Sequence, residues 1–124
     1  MSRTPELREL NRRVTAAIFR AEHLPPGLEA EFAFSDVSRI EEEIARLTAA
    51  DSLEGSAARQ GAITSALSAG DWLRALSLAE AYLAEPAPSV LAPDLVLLRD
   101  EASSELSKAE IPNVVQMPFE LLVA

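Results

Sequence analysis

The amino-acid sequence predicts an all-α fold, a single-domain bundle of about five helices. Three observations support this prediction: apolar residues recur at helical spacing in five segments, capping residues precede most of these segments, and proline or glycine separates them. The chain has 124 residues, of which 48% are hydrophobic, so it can bury a core without covalent staples. It contains no cysteine, which excludes disulfides, zinc–thiolate sites and thiol nucleophiles.

The first helix is expected to run from Thr4 to about residue 23. Thr4 supplies a capping hydroxyl, Pro5 suits the first helical position, and Pro25-Pro26-Gly27 ends the helix. Residues 28–34 fit two structures. They fit a strand, because apolar and other residues alternate there, and they also fit a short helical turn that directs both phenylalanines inward. The apolar face of the first helix comprises Leu7, Leu10, Val14, Ala17, Ile18 and Ala21.

The second and third helices are predicted from two capping boxes. The second helix is expected to begin at Ser35 or at Ser38, and Ser38 forms a capping box with Glu41. Asp51 with Glu54 repeats the pattern and opens the third helix. The buried stripe of the second helix is expected to comprise Val37, Ile40, Ile44 and Leu47.

A sharp turn joins the third helix to the fourth. Gly70 fits the left-handed position that ends a helix, and Asp71 is expected to cap the next one. The fourth helix stops at Pro86, which opens a Pro-Ala-Pro-Ser linker.

A fifth helix follows the linker, with Pro93 in its first turn. From Ile111 the helical spacing lapses. We therefore expect residues 1–110 to form the domain and residues 111–124 to form an irregular, extended apolar tail that packs on the domain or on a partner. The face of the fifth helix comprises Leu91, Leu95, Leu98, Ala102 and Leu106, and the tail residues expected to dock are Met117 and Phe119.

Residues suited to catalysis or metal binding are scarce. The single histidine, His23, lies at the end of the first helix, where a cation interacts favourably with the helix dipole. The adjacent glutamates 41–43 point about 100° apart on a helix, so a solvated face is expected rather than a metal site. Glu29 and Glu31 would share a face only in a strand, and no phosphate-binding loop or nucleophile elbow is present. We therefore expect no catalytic residues, no metal and no cofactor.

The charge is strongly acidic and unevenly distributed. The net charge is −9, whereas the first 20 residues are basic. An acidic body repels phosphate backbones and anionic lipid, so neither nucleic acid nor a membrane is the expected partner. The expected partner is a basic protein surface. The absence of a secretory signal predicts a cytoplasmic protein, and the excess of arginine over lysine is typical of GC-rich bacteria. The basic N-terminal residues are Arg3, Arg8, Arg12, Arg13 and Arg20.

Residues 56–86 resemble one tetratricopeptide-type repeat, a two-helix unit of roughly 34 residues. Gly70-Asp71-Trp72 is similar to the family's turn, Ala75 to the small residue at the helix crossing, and Pro86 to its terminal proline. Ile63 departs from the pattern, because the family has a small residue there. A tight αα-hairpin outside the family would use the same turn and crossing, so it remains the alternative. The resemblance implies protein binding through a groove that the first helix lines with Gln60, Thr64, Leu67 and Ser68.

These observations favour a non-catalytic protein–protein interaction module with an acidic surface, acting as an adaptor, a chaperone or a regulatory subunit. An immunity or antitoxin-type inhibitor of a basic toxin is the alternative within binding. Two further classes stay open: a small carboxylate-dependent enzyme and a self-assembling structural subunit. A homo-oligomer is compatible with the sequence.

Overall fold

The computed structural model describes the backbone of residues 4–116 and the side chains of residues 4–109, and this part of the chain is all-α, without a strand. The prediction of an all-α bundle of five helices is confirmed. None of the described helices is both long and apolar enough to cross a membrane. The helices are α1 (Pro5–His23), α2 (Leu28–Arg46), α3 (Leu53–Ser68), α4 (Trp72–Leu83) and α5 (Ala92–Gln116).

Each helix packs on the next one in the chain, so the helices of this bundle form an open array. The α1–α2, α2–α3, α3–α4 and α4–α5 pairs are all in contact, and α3 also touches α5. Within the described residues, the backbone of α1 makes no close approach to that of α3. Two apolar cores result, one under α1, α2 and the start of α3, the other between α3, α4 and α5.

Helix α1 begins as predicted. The Thr4 hydroxyl accepts a hydrogen bond from the backbone N–H of Leu7 at 3.1 Å, and Pro5 occupies the first turn. The predicted face is buried at Leu7, Leu10, Val14 and Ala21.

The predicted start of α2 is wrong. The helix begins at Leu28, so residues 28–34 form its first two turns and the strand alternative is wrong. The helical alternative is correct for the backbone, but only Phe34 packs on the core, since Phe32 is 64% exposed. Gly27 is the N-cap and provides no side-chain hydrogen bond, so the usual capping signal is missing from the sequence. Ser38 lies in the middle of the helix, where its hydroxyl donates to the Ala62 carbonyl oxygen at 2.7 Å. The predicted stripe is buried at Val37 and Ile44, whereas Leu47 is exposed because it follows the last helical turn.

Helix α3 is capped one residue later than predicted. Ser52, not Asp51, is the N-cap, and its hydroxyl accepts a hydrogen bond from the Gly55 N–H at 2.9 Å. At the other end, Gly70 has a φ of 73°. The N–H groups of Gly70 and Asp71 reach back to the carbonyl oxygens of Leu67 and Ala66, at 3.0 and 2.9 Å, as in a Schellman motif.

The α3–α4 hairpin is held tightly by small residues. Asp71 caps α4 as predicted, since its carboxylate accepts from the Arg74 N–H at 3.2 Å. Ala75 on α4 is fully buried in the core between α3, α4 and α5. Ala62 and Ala66 on α3 are also fully buried and allow the two backbones to approach closely.

Replacing Gly70 with alanine is expected to lower the free energy of unfolding by about 1 kcal/mol, because an L side chain is strained at this positive φ. Gly70→Asn is the matched control and is expected to lose less than half as much, since asparagine tolerates the left-handed conformation. Urea unfolding of the two variants checks this prediction. Equal losses would show that backbone strain is not the cause.

The predicted boundary of the C-terminal tail at residue 110 is also wrong. Helix α5 continues to Gln116, so residues 111–116 are helical rather than extended. The predicted docking residues Met117 and Phe119 lie outside the described residues.

Candidate partner-binding groove

A continuous groove runs between α1 and α3, with α2 as its floor. It consists of three adjoining clefts of about 540, 530 and 420 Å³. Glu41 and Ala57 line both the first and the second cleft, while Glu22, Phe34 and Ser68 line both the second and the third. We call this feature the α1/α3 groove. Because neighbouring clefts share lining residues, one ligand can occupy all three.

Helices α1 and α3, the two walls of the groove, run in the same direction from N-terminus to C-terminus. At one end of the groove, Asn11 of α1 donates a hydrogen bond to the Glu54 carboxylate of α3 at 3.4 Å. At the other end, Glu22 of α1 and Ser68 of α3 line the same cleft. Both helices pack on α2 and leave a gap above it. The groove therefore exists because the helices form an open array.

The floor of the groove is largely apolar. Its lining includes Val14 and Ile18 from α1, and Phe34, Val37 and Ile44 from α2. Val37 and Ile44 are buried in the first core, so the floor is part of the folded scaffold.

The Glu41 carboxyl group lies in the middle of the groove. The carboxylate packs directly against Gly61 of α3. A Cβ atom added to Gly61 would lie 2.4 Å from one of the Glu41 carboxylate oxygens. Burial desolvates the carboxylate and raises the pKa of Glu41 to about 7. Among the described residues that line the three clefts, none is a lysine, an arginine or a histidine. Glu41 is thus a partly desolvated acid to which the groove offers no cation.

The three adjacent glutamates have different environments, so the expected common solvated face is wrong. Glu42 accepts a hydrogen bond from Arg74 at 2.8 Å, and Glu43 pairs with Arg46 one turn later. Only Glu41 enters the groove. The side chains described here include no cluster of acids, histidines or cysteines arranged to hold a metal ion.

Three of the four predicted partner-binding residues line the groove. Gln60, Thr64 and Ser68 lie along the α3 wall, and Thr64 and Ser68 also line a separate cleft with Leu67. Leu67 is only 9% exposed and packs in the core between α3, α4 and α5, because its position on the helix faces α4. The sequence interpretation missed Glu41 as a groove residue, since its depth depends on Gly61, which lies 20 residues away.

The other acids and the histidine considered from the sequence have separate positions. Glu31 lines the third cleft and its carboxylate approaches the turn at Gly70. Glu29 is exposed outside the groove lining. His23 is exposed at the end of α1, where its ring stacks on Phe19 and its Nδ1 lies 2.7 Å from the Phe19 carbonyl oxygen.

A buried arginine, Arg59, lies on the side of α3 that faces away from the groove and connects this helix to its neighbours. The Arg59 guanidinium makes a bidentate pair with the Glu85 carboxylate, at 2.7 and 3.0 Å. It also donates to the carbonyl oxygens of Gly55 and Thr48, at 3.0 and 3.3 Å. These contacts join the end of α4 and the α2–α3 connection to the start of α3.

Tyr82 packs beside this arginine, with the guanidinium carbon 5.4 Å from its ring centroid. Its hydroxyl is buried, and no hydrogen-bond partner lies within reach among the described residues. Burial and the nearby Glu42 carboxylate raise the pKa of Tyr82 to about 12, so the phenol stays neutral.

A second polar contact fixes α2 to α4. The Arg74 guanidinium donates to the Ser38 hydroxyl at 3.0 Å and to the Glu42 carboxylate at 2.8 Å. Because Ser38 also bonds to α3, this contact joins all three helices. These hydrogen bonds therefore connect α2, the floor of the groove, to α3, one of its walls, and to α4.

No protein-family model matches the sequence, and no curated protein or solved structure matches it. The described lining of the α1/α3 groove combines apolar and neutral polar side chains with carboxylates from α1, α2 and α3.

Proposed function

We propose that this protein is a non-catalytic interaction module that holds a segment of a partner protein in the α1/α3 groove. The observation that carries the proposal is the Glu41 carboxyl group, which is partly desolvated at the centre of an open groove lined by no basic residue. An acid in this environment is stabilised when a ligand brings a cation to it. An adaptor, chaperone or regulatory subunit would use the groove in this way.

The arrangement of helices supports the same proposal. In tetratricopeptide-type arrays the first helix of each pair lines the binding groove. Here α1 and α3 take those positions, with α2 and α4 behind them. The proposal extends the resemblance of residues 56–86 to the preceding helix pair, and a single repeat-like hairpin would not build a groove of this length.

An immunity-type inhibitor is the second candidate, favoured by the acidic lining of the groove. A basic nuclease toxin would meet the acids Glu22, Glu31 and Glu41 in one surface. A toxin gene found immediately upstream would support this candidate. The carboxylate-enzyme alternative needs an arginine opposite Glu41, and the described lining residues supply none. A self-assembling subunit would show a mass that rises with concentration.

Filling the groove tests the proposal. Thr64→Trp places a large side chain on the exposed α3 wall, and Ser77→Trp on the exposed face of α4 is the matched control. Each variant and the wild type are used to capture partners from the native host, followed by mass spectrometry. We expect wild type and Ser77→Trp to retain the same protein and Thr64→Trp to lose it. A partner retained equally by all three proteins would show that binding occurs elsewhere, and no partner for the wild type would contradict the proposal.

A further inference from the structure

We propose that the contact between Glu41 and Gly61 is a pH-dependent switch in the α1/α3 groove. With a proton, the Glu41 carboxyl group stays packed on α3. Without the proton, the carboxylate turns away from Gly61 into the open groove, where a cationic group of the partner can pair with it. This inference rests on the proposed function and adds its regulation.

Gly61 provides the space in which the carboxyl group packs. It lies in the middle of α3, where glycine is less favourable than alanine by about 0.5–1 kcal/mol. Its backbone does not require glycine, because a positive φ is found among the described glycines only at Gly27 and Gly70. Gly61 differs from alanine here by the missing Cβ atom, which would lie 2.4 Å from a Glu41 carboxylate oxygen and 2.9 Å from the carboxyl carbon. A weak helix former therefore stands at the one point where α3 receives the acid, and such local conflicts are typical of functional positions.

The Glu41 side chain lies where two clefts of the groove meet. Both the cleft of about 540 Å³ and the cleft of about 530 Å³ are lined by Glu41 and Ala57. Glu41 is half-buried, so a change of side-chain rotamer can carry its carboxylate from Gly61 into the open groove. The two positions of the side chain differ in hydration. The packed position desolvates the carboxyl group, whereas the turned-out position leaves it in water.

This difference in hydration makes the position of Glu41 depend on its proton. Desolvation raises the pKa of Glu41 to about 7, so the proton is exchanged near neutral pH. A neutral carboxyl group loses little when it is desolvated, whereas a carboxylate loses its hydration without compensation. Protonation therefore favours the packed position, and ionisation favours the turned-out position.

The described lining contains no basic group that would hold the ionised carboxylate at Gly61. The titratable residues that line a cleft with Glu41 are Glu22 of α1 and Glu54 of α3, and the described residues of α4 and α5 contribute none to these two clefts. The next two acids of α2 form ion pairs with arginines outside both clefts. Ionisation of Glu41 is thus not offset by an ion pair within the lining.

Nuclear magnetic resonance tests the switch in the full chain without a partner. We expect a nuclear Overhauser cross-peak between the side-chain protons of Glu41 and the α-protons of Gly61 at pH 5, and we expect it to weaken about tenfold at pH 8 as the acid ionises. Glu41→Gln stays neutral and should retain the cross-peak at both pH values. A wild-type cross-peak that persists at pH 8, or one that is absent at pH 5, would overturn the inference.

Gly61→Ala provides an independent test, because its methyl group should displace the carboxyl group at every pH. Gly70→Ala is the matched control, since a Cβ atom added there does not contact Glu41. In a titration of the Glu41 carboxyl carbon, we expect Gly70→Ala to keep the midpoint near 7 and Gly61→Ala to return it to near 4.5, the ordinary glutamate value. An unchanged midpoint in Gly61→Ala would show that contact with Gly61 does not control this acid.

The partner that the wild type retains in the capture experiment tests the regulation. About one-tenth of Glu41 is ionised at pH 6 and about nine-tenths at pH 8, so we expect its dissociation constant to be about tenfold lower at pH 8. Glu41→Gln is the control for titration of the partner itself and should lack this tenfold change. Equal pH dependence in the two proteins would overturn the inference. The proposed function would still stand if Thr64→Trp alone lost the partner, so the two failures are distinguishable.

Discussion

Replacing Arg59 with alanine is expected to lower the free energy of unfolding by about 3–5 kcal/mol, because it leaves the Glu85 carboxylate and two carbonyl oxygens without their donor. The Arg59 side chain is only 6% exposed, so water cannot easily replace it. A loss of this size is a large part of the roughly 5–15 kcal/mol typical of a small domain. Urea or thermal unfolding measures it.

Arg99→Ala is the control for this prediction. Arg99 pairs with Asp100 on α5, but its side chain is 39% exposed, and exposed pairs contribute about 0–1 kcal/mol. We expect a change below about 0.5 kcal/mol. Arg59→Lys should also lower the free energy of unfolding, but by less than Arg59→Ala, since an ammonium group keeps the charge and cannot make the bidentate pair. A loss below about 1 kcal/mol for Arg59→Ala would show that this network does not hold α3 to α4.

Glu41→Gln is expected to raise the free energy of unfolding at pH 8 by on the order of 2 kcal/mol, after allowance for the solvent that still reaches the carboxylate. Folding raises the pKa of Glu41 from 4.5 to about 7, so the folded state favours the protonated acid. Glutamine is neutral at every pH and has nearly the same size. It therefore removes the cost of a desolvated charge.

The pH dependence has a definite sign. Between pH 4.5 and 7 the folded state binds more protons than the unfolded chain at this site, so wild-type stability falls as the pH rises through this range. The cause of the shift is desolvation of the carboxylate by burial. At pH 5 the variant and wild type should be almost equally stable. Glu43→Gln should change stability little at either pH, and a Glu41→Gln difference that is the same at pH 5 and pH 8 would contradict the account.

Local capping chemistry predicted several helix ends correctly. Thr4 and Asp71 cap α1 and α4 through hydrogen bonds within three residues, and Gly70 ends α3 through its own backbone conformation. Each of these depends on neighbours in the chain. The predicted starts of α2 and α3 are wrong for different reasons. Asp51 is adjacent to the true cap of α3, Ser52, whereas the true cap of α2, Gly27, has no capping side chain and Ser38 lies eleven residues after it.

Tertiary contacts explain what the sequence could not predict. Serine is a common N-cap residue, but the buried Ser38 hydroxyl instead forms hydrogen bonds with α3 and with Arg74. Leu67 was expected on the groove wall but packs against α4, because the α3–α4 crossing determines which face of α3 is covered. Glu41 looked like one of three equivalent surface acids, and only the packing of Gly61 against α2 distinguishes it.

The ionisation of Glu41 in the free and occupied protein is the most direct test of the groove as a binding site for a cationic segment. Nuclear magnetic resonance of the glutamate side-chain carboxyl carbons follows this single group through a pH titration. The account predicts a pKa near 7 in the free protein and a clearly lower pKa when a lysine-containing peptide is bound in the groove. An ordinary pKa in the free protein, or one that does not fall on binding, would contradict it.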